Sequence, residues 1–353
     1  MTTTAATRTS DQHEIHIPGL PADVRARAFD LEADAADLAT FMGEVNLADG
    51  HNQVLTPDEV RIEWRQTPGF VPARDALILE DEAGFVAHVN VDAQVRDGKV
   101  VHWIEGWVRQ DRRRQGIARA LLAWAERHSA LRARNGDSPQ PELPQYLGFG
   151  AIEKNPAAMG FAASTDYTPF RYGFQMRRPL DEPILDVAMP EGVEMRPVRE
   201  EDHRRIWEAD VEAFLDHFEP RVQTDDDFVA TFAFPDLDTS LWRVAWEGDE
   251  VVGVVINAIF PEENEAIGVK LGWLEHVSVR APWRGRGVAK ALIVSSLHVH
   301  RERGMEFAAL GVDAENPTGA LALYEGLGFR PHQKWNSHRK PLDAAAILLE
   351  ASQ

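Results

Sequence analysis

The second half of the chain alternates between helix-like and strand-like hydrophobic patterns. Between residues 200 and 217, apolar side chains recur at helical spacing at Ile206, Val211, Phe214 and Leu215. Short aliphatic runs bounded by turn residues predict strands. The predicted order is strand 193–198, helix 200–217, helix 225–234, strand 241–246, a turn at Gly248-Asp249, strand 251–260, strand 271–279, helix 288–303, strand 307–312, helix 317–327 capped by Asn316, and a last strand after Gly328-Phe329. This order predicts an α/β domain with a mixed sheet flanked by helices.

An internal repeat predicts that the first half contains a second copy of this domain. The segment VRQDRRRQGIARALL, starting at Val108, aligns without a gap with VRAPWRGRGVAKALI, starting at Val279. The two halves also end alike, with MRRPL at 176–180 and HRKPL at 338–342. Pro183, Pro190 and Gly192 mark a linker between them. We predict a disordered tail at 1–14, a first domain at 15–182, a linker at 183–192 and a second domain at 193–345.

Composition narrows the classes of chemistry and partner. The 353 residues carry a formal net charge of −20 and contain no cysteine. The charge opposes binding to nucleic acid or to an anionic membrane face and is compatible with a cationic substrate such as an amine. The missing thiol excludes disulfides and an acyl-enzyme through sulfur. Without a long apolar run or an apolar signal core, we expect a cytoplasmic monomer or homodimer with no membrane partner.

The strongest local signal is a basic, glycine-bearing loop between a predicted strand and helix. The first amides of a helix have no intrahelical acceptor, and the helix dipole adds positive potential there, so a phosphate can bind. Glycine lets the backbone approach such a ligand closely. A plain strand-to-helix turn with solvated arginines explains the same residues. The loop and helix start comprise Arg284, Gly285, Arg286, Gly287, Val288 and Ala289.

This stretch resembles motif A of the GNAT superfamily of N-acetyltransferases. A second segment, NPTGALALYEGLGF from Asn316 to Phe329, looks like motif B of the same superfamily. The resemblance implies two tandem GNAT-like domains, each with a mixed, mostly antiparallel sheet. It also implies that acetyl-CoA lies between two splayed parallel strands, with its pyrophosphate on the amides of Arg284 to Ala289. Its pantetheine would pair with the strand edge through Val277 and Val279.

The expected chemistry is direct transfer of an acetyl group to a primary amine of a small molecule. Tyr324 matches the family's general acid, and its ordinary pKa of about 10 keeps it protonated at neutral pH. Glu275, acting through water, is the favoured base, and His276 is the alternative. Asn316 is either a helix cap or a contact to CoA. His298 and His300 lie two apart on a helix and do not share a face, so we predict no metal site and a solvated helix end.

The first half has weaker versions of both motifs. Arg114 stands where the second half has Gly285, and Ala162 stands at the position of Tyr324. We therefore expect the first half to be catalytically silent, serving as scaffold and as one wall of the substrate pocket. The layout resembles mycothiol synthase-like tandem GNAT proteins, but Trp273 occupies the strand position where their catalytic Glu is expected. A CoA-binding sensor without turnover and a transferase for a larger acyl group remain alternatives.

Overall fold

The computed structural model describes residues 14–220, 222–234, 237–316 and 319–350, so residues 1–13 of the predicted tail lie outside it. The first half contains β1 (Arg25–Ala28), α1 (Leu31–Ala48), α2 (Pro57–Gln66), α3 (Pro72–Asp75), β2 (Ala76–Asp81), β3 (Gly84–Arg96), β4 (Lys99–Val108), α4 (Ile117–Asn135), β5 (Gln145–Ile152), α5 (Pro156–Ala163) and β6 (Thr168–Pro179). The second half contains β7 (Glu194–Arg196), α6 (His203–Phe214), α7 (Asp225–Ala233), β8 (Arg243–Glu247), β9 (Glu250–Ala258), α8 (Pro261–Ile267), β10 (Leu271–Val279), α9 (Val288–Glu302), β11 (Phe307–Asp313), α10 (Ala320–Gly326), β12 (Arg330–Pro341) and α11 (Ala344–Glu350).

The sheets of the two halves join edge to edge into one twelve-stranded sheet. Its strand order is β1-β2-β3-β4-β5-β12-β6-β11-β10-β9-β8-β7. The parallel pairs are β4 with β5 and β10 with β11, and the other neighbouring pairs described are antiparallel. The predicted fold class, with helices flanking a mixed and mostly antiparallel sheet, is confirmed.

Each half contributes its last strand to the sheet of the other half. Strand β6 pairs with β11, and β12 pairs with β5, while β6 and β12 also pair with each other at the centre. The similar chain endings noticed in the sequence are these two exchanged strands. Gly173 of β6 lies opposite Trp335 of β12, and an added Cβ at Gly173 would lie 2.2 Å from the indole. The exchange means that the apolar core of each half includes residues from the other.

The packing of apolar side chains follows this exchange. Met176 and Leu180, at the end of the first half, are buried in the core cluster under β10 and β11. Conversely, Leu342 and Ile347 from the end of the chain pack against the cluster under β4 and β5. Burial of apolar surface therefore holds the two halves together as one structure.

The predicted elements of the second half agree with the structure apart from their ends and two omissions. Helix α6 begins at His203, after a 3-10 turn at Glu200–Asp202. The prediction of a helix capped by Asn316 was wrong, because α10 begins at Ala320 with left-handed Gly319 at its N-cap. The short helices α8 and α11 were not predicted.

Candidate functional site

The loop between β10 and α9 presents a row of unpaired backbone amides. Gly285 and Gly287 have left-handed φ angles of 74° and 93°, and an added Cβ at either would have no atom within 4 Å. No side chain caps the helix at Gly287, and the first intrahelical bond runs from the amide of Ala291 to the carbonyl of Gly287. In the described structure, the amides from Gly285 to Ala289 have no backbone acceptor. The loop is thus open toward a ligand and suited to an anion.

Arg284 departs from the expected phosphate set in both its backbone and its side chain. Its amide donates to the carbonyl of Ala281, and its Nε donates to the carbonyl of Val279 at 2.9 Å. The guanidinium also pairs with Asp216 at 2.6 Å. Arg286 pairs with Glu247 at 2.7 Å. Because carboxylates offset both positive charges, an anion bound here would be held chiefly by the amides and the helix dipole.

The parallel strands β10 and β11 separate next to this loop. Their pairing runs from Leu271 opposite Phe307 to Leu274 opposite Leu310 and then ends, although β10 continues to Val279. A bulge in the β9–β10 ladder falls between Leu274 and His276, which makes Glu275 the extra residue. Beyond Leu274, the β11-facing edge of β10 therefore has no strand partner among the described residues. This split is where the resemblance places pantetheine.

Glu275 and His276 are both exposed, because the bulge interrupts the alternation of faces along the strand. Desolvation by the surrounding protein atoms raises the pKa of the Glu275 carboxyl although the residue is partly open to solvent, and the neighbouring His276 opposes that rise. The sequence favoured Glu275 as the base, with His276 as the alternative, and both side chains lie beside the split.

His276 has a buried carboxylate partner that the sequence analysis missed. Its Nδ1 lies 2.6 Å from Oδ2 of Asp210 on α6, and the hydroxyl of Ser278 donates to Oδ1 of the same carboxylate at 2.6 Å. Burial disfavours the charged imidazole, but the Asp210 carboxylate outweighs it and raises the pKa of His276 above the ordinary value. One signal in the sequence could have pointed to this partner. Asp210 lies four residues after Ile206 and four before Phe214, so a charged residue interrupts the predicted apolar stripe.

Tyr324 lies on α10 with 6% of its surface exposed. It packs in the same apolar cluster as Val312, Val277 and Val279, which come from the two separating strands. No hydrogen-bond partner for its hydroxyl is found in the described part of the chain. Burial raises the pKa of Tyr324 to about 12, so the phenol stays protonated at neutral pH. The hydroxyl is therefore a proton donor without an internal acceptor.

A carboxyl group reaches the Trp273 position from a neighbouring helix. The indole Nε1 of Trp273 donates to Glu263 of α8 at 3.2 Å. Burial raises the pKa of Glu263 to about 7, against the opposing effect of that hydrogen bond. The strand position lacks the expected Glu, but a carboxyl that titrates near neutral pH lies beside it.

The first half has a similar loop, which is exposed to the same degree. Arg114 adopts a left-handed φ of 63°, and Gly116 one of 86°. An added Cβ at Gly116 would lie 3.7 Å from the carbonyl of Gly19, so an N-terminal segment lies against the start of α4. The β3–β4 ladder has no bulge, unlike β9–β10. Ala162 lies buried on α5, where the second half has Tyr324.

The remaining candidate residues are the histidine His300 near the end of α9 and Asn316. His300 was wrongly expected at a solvated helix end: it is fully buried, and its Nε2 lies 3.1 Å from Oδ1 of Asn257. Among the described residues no group of three or more His, Asp and Glu side chains is arranged to hold a metal ion. Within the same residues no helix combines the length and apolarity needed to cross a membrane. Asn316 lies in the segment before α10, where it remains a predicted CoA contact.

Two regions of the chain match a family model. Residues 44–136 and 203–329 match the acetyltransferase (GNAT) family. The two regions contain the two copies of the strand-loop-helix unit described above.

The chain is similar to mycothiol acetyltransferases from several bacteria. It is 32% identical to the protein of Thermomonospora curvata over 73% of this chain and 79% of that one. It is 29% identical to the protein of Salinispora arenicola over 87% of this chain and 91% of that one. The alignment with the Salinispora tropica protein, at 32% identity, covers 52% of this chain and only 59% of that relative.

Two solved structures share the whole architecture. A GCN5-related N-acetyltransferase from Sphaerobacter thermophilus matches with a TM-score of 0.67 and 28% identity, covering 92% of this chain and 97% of that one. A tandem GNAT protein from the clavulanic acid biosynthesis pathway matches with a TM-score of 0.61 over 90% of this chain and 98% of that one. At 16% identity, the second likeness concerns the fold alone.

Proposed function

Because the chain belongs to the acetyltransferase (GNAT) family and is an acetyl-CoA-dependent acetyltransferase, we propose that its second half acetylates a primary amine of a small molecule. The observation that carries this proposal is the open loop from Gly285 to Ala289 at the mouth of the β10–β11 split. The first half has a similar loop, but Arg114 replaces Gly285, the β3–β4 ladder lacks the bulge, and Ala162 stands where the second half has Tyr324. The relatives are named mycothiol acetyltransferases. We therefore start from the expectation that the acceptor is an amine-bearing metabolite.

Acetyl-CoA fits the residues present. The amides of Gly285 to Ala289 would hold the pyrophosphate, and the dipole of α9 would add positive potential. The unpaired edge of β10 would pair with pantetheine near Val277 and Val279. The bound thioester supplies the acyl carbon that the amine attacks.

We assign His276 as the base ahead of Glu275. A base must accept a proton from the acceptor amine, and a neutral imidazole whose Nδ1–H donates to Asp210 presents Nε2 as the acceptor. Glu275 has no such orienting partner, although it can act through water from the adjacent position. Asp210 is then a positioning residue that fixes the tautomer of His276.

Tyr324 is assigned as the acid that protonates the departing thiolate. Its raised pKa keeps the proton in place, and its apolar surroundings leave the hydroxyl without a competing acceptor. With no cysteine in the chain, an acyl-enzyme through sulfur is excluded, and direct passage of the acyl group from thioester to amine is the simplest scheme.

Release of free thiol from acetyl-CoA in the presence of an amine panel tests the proposal. We expect amine-dependent thiol release that falls by roughly 10²–10⁴-fold in Tyr324→Phe. Tyr172→Phe, a change at a tyrosine that is 39% exposed on β6, is the matched control. Unchanged turnover in Tyr324→Phe removes the acid role. Binding of acetyl-CoA with no thiol release for any amine supports a sensor instead.

The same assay with propionyl-CoA and succinyl-CoA tests the size of the acyl group. We expect acetyl-CoA to be the preferred donor, and a higher kcat/KM for a longer donor would contradict the acetyl assignment. Titration calorimetry with CoA tests whether the first half is silent. One site per chain is expected, and a second site of similar affinity would overturn that assignment.

A further inference from the structure

A cleft of about 530 Å³ opens beside the proposed base. We define the α6–α7 cleft as this cavity, formed by helices α6 and α7, the connection between them and α2 of the first half. His276 and Asp210 both line it. Its volume lies within the range of small-molecule sites. An amine bound in the cleft would therefore lie next to the imidazole that is proposed to accept its proton.

The cleft wall that leads to His276 is aromatic and aliphatic. Trp207, Val211 and Phe214 line it from successive turns of α6, and Ile256 lines it from β9. The Phe214 ring lies 4.8 Å from the His276 ring, measured between centroids, so the apolar wall continues up to the imidazole. Surface of this kind binds an apolar group by excluding water from it, and a sugar or polyol would leave its hydroxyls unpaired against it.

The charges around the cleft oppose an anionic group. Glu63 of α2 and Asp210 contribute carboxylates, while Glu219 is already neutralised by Arg339 and Lys99. Burial and nearby carboxylates raise the pKa of Glu63 to about 7, so a cation beside it would be favoured. Arg96 also lines the cleft and is engaged in an interaction of its own. A carboxylate carried by the acceptor would approach Asp210 against its charge, and would also approach Glu63 against its charge at a pH above the raised pKa of Glu63.

We propose that the acceptor is a primary amine attached to an aromatic or similarly bulky apolar group and carrying no carboxylate. This inference rests on the proposed function and specifies its acceptor. The apolar group lies against Trp207 and Phe214, and the amine points toward Nε2 of His276. The acceptor then differs in polarity from a polyhydroxylated amine, which the cleft wall would leave poorly solvated.

Three amines test separately whether the acceptor needs an apolar group and whether it must lack a carboxylate. At saturating acetyl-CoA, kcat/KM is measured by thiol release for phenethylamine, for phenylalanine, which adds a carboxylate, and for ethanolamine, which replaces the ring with a hydroxyl. We expect phenethylamine to exceed each of the others by about tenfold or more. A kcat/KM for phenylalanine or ethanolamine equal to or above that of phenethylamine overturns the acceptor assignment.

Trp207→Leu tests whether the α6–α7 cleft is responsible. The ratio of kcat/KM for phenethylamine to that for ethanolamine should fall at least about fivefold, because the variant loses aromatic contact area at the cleft wall. Val229→Ala, a change at an α7 residue that is 59% exposed and outside the cleft lining, is the control and should leave the ratio unchanged. An unchanged ratio in Trp207→Leu, with unaltered thermal unfolding, also overturns the assignment.

The proposal and the proposed function fail in different ways. If thiol release rises with some amine but not preferentially with phenethylamine, only the acceptor class is wrong. If no amine raises thiol release above that of acetyl-CoA alone, acetyl transfer to a small amine is itself wrong.

Discussion

Asp210→Asn tests the proposed base most directly, because it removes a charge while keeping the shape of the side chain. Asp210 is 5% exposed and contacts both Nδ1 of His276 and the hydroxyl of Ser278 at 2.6 Å. A hydrogen bond to a charged group contributes about 1.5–3 kcal/mol. At about 1.4 kcal/mol per pKa unit, its loss should lower the pKa of His276 by roughly one to two units.

The sign of the pH effect follows from the role of His276. A base acts in its neutral form, so kcat/KM should rise with pH through the raised pKa of His276. In Asp210→Asn that rise should move to lower pH. The plateau should fall by roughly 10²–10⁴-fold, because an asparagine amide can donate to Nδ1 and leave the proton on Nε2, the nitrogen that must accept.

The assay is kcat/KM for the amine, measured across pH at saturating acetyl-CoA. Ser278→Ala is the control, since it retains the Asp210 charge and loses one hydrogen bond, so its pH profile should move less. An Asp210→Asn profile that superimposes on that of the unaltered protein, in both position and height, would refute the reasoning. Loss of the acidic limb in Glu275→Gln instead would assign the base to Glu275.

Three further changes test the loop, the strand exchange and the ion cluster that Glu219 forms with Lys99 and Arg339. Gly287→Ala should raise KM for acetyl-CoA several-fold through strain at a φ of 93°, whereas Gly116→Ala in the first-half loop should leave it unchanged. Gly173→Ala should lower the free energy of unfolding by about 1–3 kcal/mol, because its Cβ would lie 2.6 Å from the carbonyl of Val312. Urea denaturation measures this loss, and the control Gly311→Ala should show no comparable loss. Glu219→Gln should lower stability at neutral pH by breaking a largely buried ion cluster. Because its partners hold the pKa of Glu219 low despite burial, this deficit should shrink as pH falls from the ordinary Glu pKa through the lowered one, and a pH-independent deficit would contradict the ion-pair origin.

Much of the proposed CoA-binding region could be predicted because its signals are local. The end of β10 at Val279, the glycines at 285 and 287 and the start of α9 at Val288 all depend on residues within a few positions of one another. The bulge at Glu275 could not be predicted from local signals, because it depends on the register with β9. The start of α10 was misplaced because a favourable Asn-Pro signal at 316 competes with left-handed Gly319.

The sequence by itself determined the repeated strand-loop-helix units, the open glycine loop and the helix that carries Tyr324, since periodicity and backbone preference act over short distances. Only the tertiary structure decided that β6 and β12 exchange sheets, because backbone edges offer the same donors and acceptors whichever half supplies them. It likewise decided that Asp210 meets His276 across 66 residues of chain. Contacts of that kind depend on how elements pack, and a pattern read along the chain contains no measure of the distance between two packed elements.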